Sequence, residues 1–123
     1  MRNAALAAFG LAALVAAPPQ SSRRVDRYDQ QTLLMNYALS QCIARAYKAP
    51  DVVEDARSAA GAYLERGNLP AAAYEALVGL VEEKLTENYL GKSGNQLQLM
   101  KCIDAMHSDG LKAIARRYIR PKQ

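Results

Sequence analysis

Two cysteines, Cys42 and Cys102, constrain this chain more than any other feature, once its N-terminus is considered with them. Met1 and Arg2 form a short positive start, followed by an apolar run from Ala4 to Ala17. This is the pattern of a secretory signal. The run falls short of the roughly 20 residues a helix needs to cross a bilayer core, so no stable membrane anchor is expected. Cleavage after Ala16 is preferred, because cleavage after Ala17 would place Pro18 directly beyond the scissile bond. The alternative for the run is a buried core helix. An exported chain meets an oxidising compartment, where two leftover thiols are reactive liabilities, and with two cysteines the pairing has one solution. Cys42–Cys102 is therefore expected as a structural disulfide. Closing a loop of about 60 residues stabilises by about 4 kcal/mol in the chain-entropy model, a large share of a small domain's stability.

The expected organisation is a signal peptide at 1–16, a flexible leader at 17–28 and one helical domain at 29–120. What remains after cleavage is long enough to bury its own core. Arg2 is the one basic residue lost with the signal, and no acid is lost, so the net charge falls from +4 to +3. Basic residues gather at Arg23, Arg24 and Arg27 and again at Arg116, Arg117, Arg120 and Lys122, whereas the acids concentrate between Asp51 and Glu87. A mildly basic exported chain with no stacking-aromatic pattern argues against a nucleic-acid partner and for a solvated surface.

Apolar residues recur at spacings of three and four, and no strand-like alternation, repeat or low-complexity tract appears. The expected fold is all-α, a small compact bundle of about five helices stapled by one disulfide. A first helix runs from an Asp29 cap to about Lys48, with Met35, Leu39, Cys42, Ile43 and Ala46 inward. Asp51 and Glu54 suggest a capping box for a second helix, with Val53, Ala56, Ala60, Tyr63 and Leu64 buried and Gly67 stopping it in the left-handed region. A third runs from Pro70 to about Leu90, its inward face marked by Ala73, Leu77, Leu80 or Val81, Leu85 and Tyr89. Gly91, Lys92, Ser93 and Gly94 break it into an exposed, mobile loop. A fourth spans about Asn95 to His107 with Leu99, Met100, Ile103 and Met106 inward. A fifth, marked by Leu111, Ile114, Ala115, Tyr118 and Ile119, ends before Pro121.

Chemistry is sparse. The single histidine, His107, follows Cys102 by five residues, but one histidine and two cysteines fall short of a four-ligand zinc site. A disulfide-bonded Cys102 can neither ligate nor attack. Glu82 and Glu83 are adjacent and diverge by about 100° on a helix, which suits solvent better than acid–base catalysis. Gly91 and Gly94 follow a helix and do not join a strand to one, so they form no phosphate loop. Neither metal, cofactor nor enzymatic activity is expected. Seven tyrosines offer rigid area with a polar tip, useful for packing and for interfaces alike. By elimination the chain is a binding protein.

Three segments carry a resemblance: Asn36-Tyr-Ala-Leu-Ser-Gln-Cys42, Ala62-Tyr-Leu-Glu-Arg-Gly-Asn68 and Met100-Lys-Cys-Ile-Asp-Ala-Met-His-Ser108. In order, across roughly Leu34 to Tyr118, they resemble the immunity proteins for type VI secretion amidase effectors, of the type that neutralises the fourth amidase group. The resemblance implies a non-enzymatic helical homodimer in the periplasm, whose partner is a papain-like cysteine amidase that cuts peptidoglycan cross-link peptides. It also implies a protruding loop that enters the amidase cleft, with helical surface from the other subunit assisting. The position suited to that loop is Tyr89, Leu90, Gly91, Lys92, Ser93, Gly94, Asn95 and Gln96, with Lys92, Ser93 and Gly94 at the tip. The competing reading is a periplasmic adaptor or chaperone for secretion components that inhibits nothing; a small cysteine amidase encoded beside this chain would favour immunity.

Overall fold

In the computed structural model, residues 10–16 and 24–121 are described, and five helices follow one another: α1 (Gln30–Ala46), α2 (Pro50–Arg66), α3 (Ala71–Thr86), α4 (Gln98–Met106) and α5 (Asp109–Tyr118). Asp29 caps α1 by accepting a hydrogen bond from the Thr32 amide (2.8 Å), and the Ser108 hydroxyl does the same for α5 by accepting from Leu111 (3.2 Å). The capping box expected at Asp51 does not form. Helix α2 begins at Pro50, with Ala49 as an N-cap that makes no side-chain bond, and Asp51 lies in the first turn, where its charge complements the helix dipole.

The end of α2 also differs from expectation. Gly67 has φ −71°, not a left-handed value. Glycine is required there for space, since a Cβ would collide with the Tyr74 hydroxyl. Tyr74 meets Tyr37 edge to face, with ring centroids 5.1 Å apart, so the α2–α3 connection closes over an aromatic pair.

Helix α1 is the centre of the bundle, packed by α2, α3 and α4. This arrangement overturns the single stripe expected for it. Cys42 is fully buried, but Met35, Leu39, Ile43 and Ala46 are half-buried, and the other buried positions include Leu33, Leu34, Tyr37 and Ala38. A helix covered on several sides has no one apolar face for periodicity to report. Two buried clusters result. The larger joins Leu34, Tyr37 and Ala38 to Ala60, Leu77, Ala105, Met106 and Leu111. The smaller consists of Cys42, Val81 and Cys102, flanked by Leu39, Ile43, Ala46 and Leu85. The expected disulfide joins Cys42 to Cys102 with Cα atoms 5.6 Å apart, linking α1 to α4.

The apolar run at the N-terminus is partly outside the described residues. Residues 10–16 carry no secondary structure, and Leu11, Leu14 and Val15 are exposed and join neither buried cluster. No helix among the described residues is long and apolar enough to cross a membrane. Residues 17–23, the first part of the expected leader, also lie outside them. Its last part is a short turn held to α2: Asp26 pairs with Arg66 (2.9 Å), and Tyr28 stacks on Tyr63 at 6.4 Å. That contact holds the Arg66 guanidinium above its usual pKa, chiefly through the hydrogen bond to Asp26.

Candidate partner-binding site

Helix α3 stops at Thr86, four residues before the expected end, and each of three carbonyls in its last turn has a partner. The Thr86 hydroxyl donates to Glu83 O (2.6 Å), the Glu87 amide to Lys84 O (3.1 Å) and the Lys101 ammonium to Leu85 O (3.2 Å). With those carbonyls satisfied, the chain leaves the helix at an extended Glu87 (φ −67°, ψ 151°).

The segment expected as a mobile loop is an internally bonded hairpin. Leu90 and Gln96 form an antiparallel bridge, flanked by bonds from Gly91 N to Asn95 O (2.8 Å) and from Leu97 N to Tyr89 O (2.8 Å). Gly94 N closes the tip on Gly91 O (3.0 Å), and Gly94 itself has φ +80°, where a side chain would be strained. Side chains reinforce the pairing. The Gln96 Oε1 atom accepts from the Tyr89 amide (3.1 Å), its Nε2 donates to Asn88 Oδ1 (2.5 Å), and Ser93 Oγ donates to Asn95 Oδ1 (2.5 Å). The structure therefore brings Tyr89 to Gln96 together as one unit. Leu90, Lys92, Ser93, Gly94, Asn95 and Gln96 are exposed, whereas Tyr89 and Gly91 are partly covered. A hairpin with one paired position is too short for sequence alternation to reveal.

The hairpin base is tied to α4. Tyr89 OH donates to Asp104 Oδ2 (2.7 Å), and the Lys84 ammonium lies over the Tyr89 ring, 5.4 Å from its centroid, while pairing with Glu87 (2.9 Å). The bond to Asp104 pushes the Tyr89 phenol above its usual pKa; its contact with Tyr89, then with Glu87, raises that of Lys84.

Helix α4 presents a different face from the one expected. Lys101, Cys102, Ala105 and Met106 point inward, whereas Leu99, Met100 and Ile103 are 51%, 50% and 45% exposed. The expected and observed stripes differ by about one residue, a rotation of about 100°. The disulfide at Cys102 and the packing of Ala105 and Met106 select the observed face. Its consequence is an outward apolar strip beside the hairpin, where Leu90 is 61% exposed. Amphipathic spacing does not reveal this strip, because it marks an apolar face without saying whether that face meets the core or solvent.

Other polar candidates are accounted for locally. Among the described residues no cysteine is free. His107 is exposed at the end of α4, and Glu82 pairs with Arg45 (3.3 Å) on the surface. A second surface feature is an open groove of about 700 Å³ between α2 and α3, floored by Tyr37 and lined by Leu64, Leu69, Tyr74 and Val78. Leu64, expected to be buried, is 43% exposed there.

Comparison with known proteins assigns this architecture. No curated protein sequence gives a significant match. Among solved structures, a chain of the Tae4/Tai4 effector–immunity system of Salmonella typhimurium superposes with TM-score 0.74 at 34% identity, over 79% of this chain and 96% of that one. A chain from the complex of Salmonella typhimurium Tae4 with Enterobacter cloacae Tai4 matches at 26% identity and TM-score 0.65, covering 80% and 98%. A chain of the Tae4–Tai4 complex of Enterobacter cloacae matches at 25% and 0.66, covering 80% and 96%. Residues 32–115 match the family Tai4, described as type VI secretion system (T6SS) amidase immunity protein. With its five helices and its disulfide, the chain belongs to the Tai4 family of type VI secretion amidase immunity proteins, whose members inhibit and do not catalyse.

Proposed function

We propose that this protein binds a Tae4-type peptidoglycan amidase in the periplasm and blocks its active site with the hairpin from Tyr89 to Gln96. The observation that carries this reading is the hairpin itself: exposed, narrow at a Lys92-Ser93-Gly94 tip, and ordered by its own hydrogen bonds. A preformed element loses little conformational freedom on binding, so more of its contact energy appears as affinity. Occlusion needs no chemistry. A loop lying over the amidase cysteine and histidine excludes substrate, and the apolar strip of Leu99, Met100 and Ile103 supplies area at the rim of that contact.

Export completes the proposal. The signal pattern at 1–16 delivers the chain to the compartment in which the Cys42–Cys102 disulfide forms and the amidase acts. The reading includes a homodimer, with the apolar groove between α2 and α3 as a surface that a second subunit can cover. Sedimentation equilibrium of the mature protein and of Leu64→Glu checks it: the wild type is expected as a dimer and the variant as a monomer.

Deleting Lys92 to Gly94 tests the main claim. Co-expressed in the periplasm with the amidase, the deletion variant is expected to lose protection against lysis and to yield no stable complex, with an unchanged helical circular-dichroism spectrum. Protection that survives the deletion would sink the role given to the hairpin.

A further inference from the structure

Lys101 is 3% exposed, and among the described residues Ser40 is its only polar companion in the buried set. Taking an ammonium out of water is unfavourable, and a methionine would fill the same space without that penalty. What a methionine cannot do is hold a carbonyl. The Lys101 ammonium donates to Leu85 O (3.2 Å) at the C-terminal end of α3, where the helix dipole favours a cation. The Lys101 amide meanwhile donates to Leu97 O (3.3 Å), at the point where the returning arm of the hairpin enters α4. The backbone bond is part of the first turn of α4 and fixes where Lys101 sits, and from there the side chain alone reaches across to the α3 stem of the 89–96 segment. Cys102 next to it is tied through Cys42 to the central helix, so the grip is referred to the rigid part of the bundle.

We infer that Lys101 is a positioning residue for inhibition: by holding the last turn of α3 against the first turn of α4, it sets the direction in which the hairpin projects toward the amidase. The inference rests on the proposed role of the hairpin, and two separate measurements keep their fates apart. The first needs no partner. In Lys101→Met, amide hydrogen exchange at Gly91, Gly94 and Leu97 is expected to quicken by roughly tenfold, with core amides such as Leu34 and Leu77 unchanged and Lys101→Arg restoring protection. Wild-type protection of the hairpin amides in a folded Lys101→Met protein overturns the inference. If the methionine variant does not fold, Lys101→Gln, one bond too short to reach Leu85, is read in the same way.

The second measurement is binding to the amidase. Lys101→Met is expected to weaken affinity by roughly tenfold, and Lys101→Arg to recover most of it. Faster hairpin exchange with unchanged affinity would overturn the link from hairpin geometry to inhibition. The deletion of Lys92 to Gly94, measured in parallel, identifies which claim has failed. If that deletion abolishes binding while Lys101→Met does not weaken it, the failure is that of Lys101 alone; if neither matters, the hairpin reading fails.

Discussion

The two halves of the bundle are held by different means. In one, Leu34, Tyr37, Ala60, Leu77, Met106 and Leu111 fill a shared core drawn from all five helices. In the other, beneath the hairpin, the fully buried cluster is Cys42, Val81 and Cys102, while Leu90, Leu99, Met100 and Ile103 face outward. A small domain that turns apolar residues outward has fewer left to pack inside. Here a covalent bond and a buried lysine take their place. The difference teaches that one half is stabilised by apolar packing and the other by a covalent bond that couples its stability to the placement of α4.

The largest effect that could break this comparison comes from the disulfide. A Cys42→Ser, Cys102→Ser double variant is expected to lose about 2–4 kcal/mol of stability in denaturant unfolding and, because it loosens α4, also to weaken amidase binding. If it folded and bound normally, the bond would be a staple without influence on the hairpin. Leu77→Ala strikes the other half. It is expected to lose about 2–4 kcal/mol, yet to bind the amidase with wild-type affinity once corrected for the folded fraction.

Surface changes should reverse that pattern. Ile103→Glu is expected to leave the thermal midpoint nearly unchanged and to weaken amidase binding on the order of tenfold by calorimetry; normal affinity would show that the strip lies outside the contact. Tyr89→Phe removes the hydrogen bond to Asp104 and should have a smaller effect, visible first as faster exchange of the Leu97 amide. The smallest effect is that of pH. The folded-state pKa of Tyr89 lies above the ordinary phenol value of about 10, mainly because its hydroxyl donates to Asp104. The contribution of that bond is therefore complete below about pH 10 and lost as pH rises through the folded pKa. Hairpin protection should hold from neutral pH upward and decline only in that alkaline range.

Much of this was open to inspection in the sequence, for physical reasons that are local. Helix formation follows from three-and-four spacing, caps such as Asp29 and Ser108, and breaks near Pro50, Gly67 and Gly91, all of which act within a few residues. The disulfide followed from compartment and count, and family membership from three short segments in order. None of these depends on how the helices are arranged.

What tertiary structure decided was orientation. Leu99 and Ile103 lie on nearly the opposite side of α4 from Lys101 and Ala105, and which side faces inward is selected by the disulfide to Cys42 and by the packing of Ala105 and Met106. Gly67 is glycine because Tyr74 arrives from another helix, which no turn signal records. The segment from Tyr89 to Gln96 could be placed from its glycines and from the resemblance. Its character as a bonded hairpin could not, since a single bridged position, Leu90 with Gln96, leaves no alternating pattern to read. Local rules govern which residues form helices; the packing of those helices governs which side chains a partner can reach.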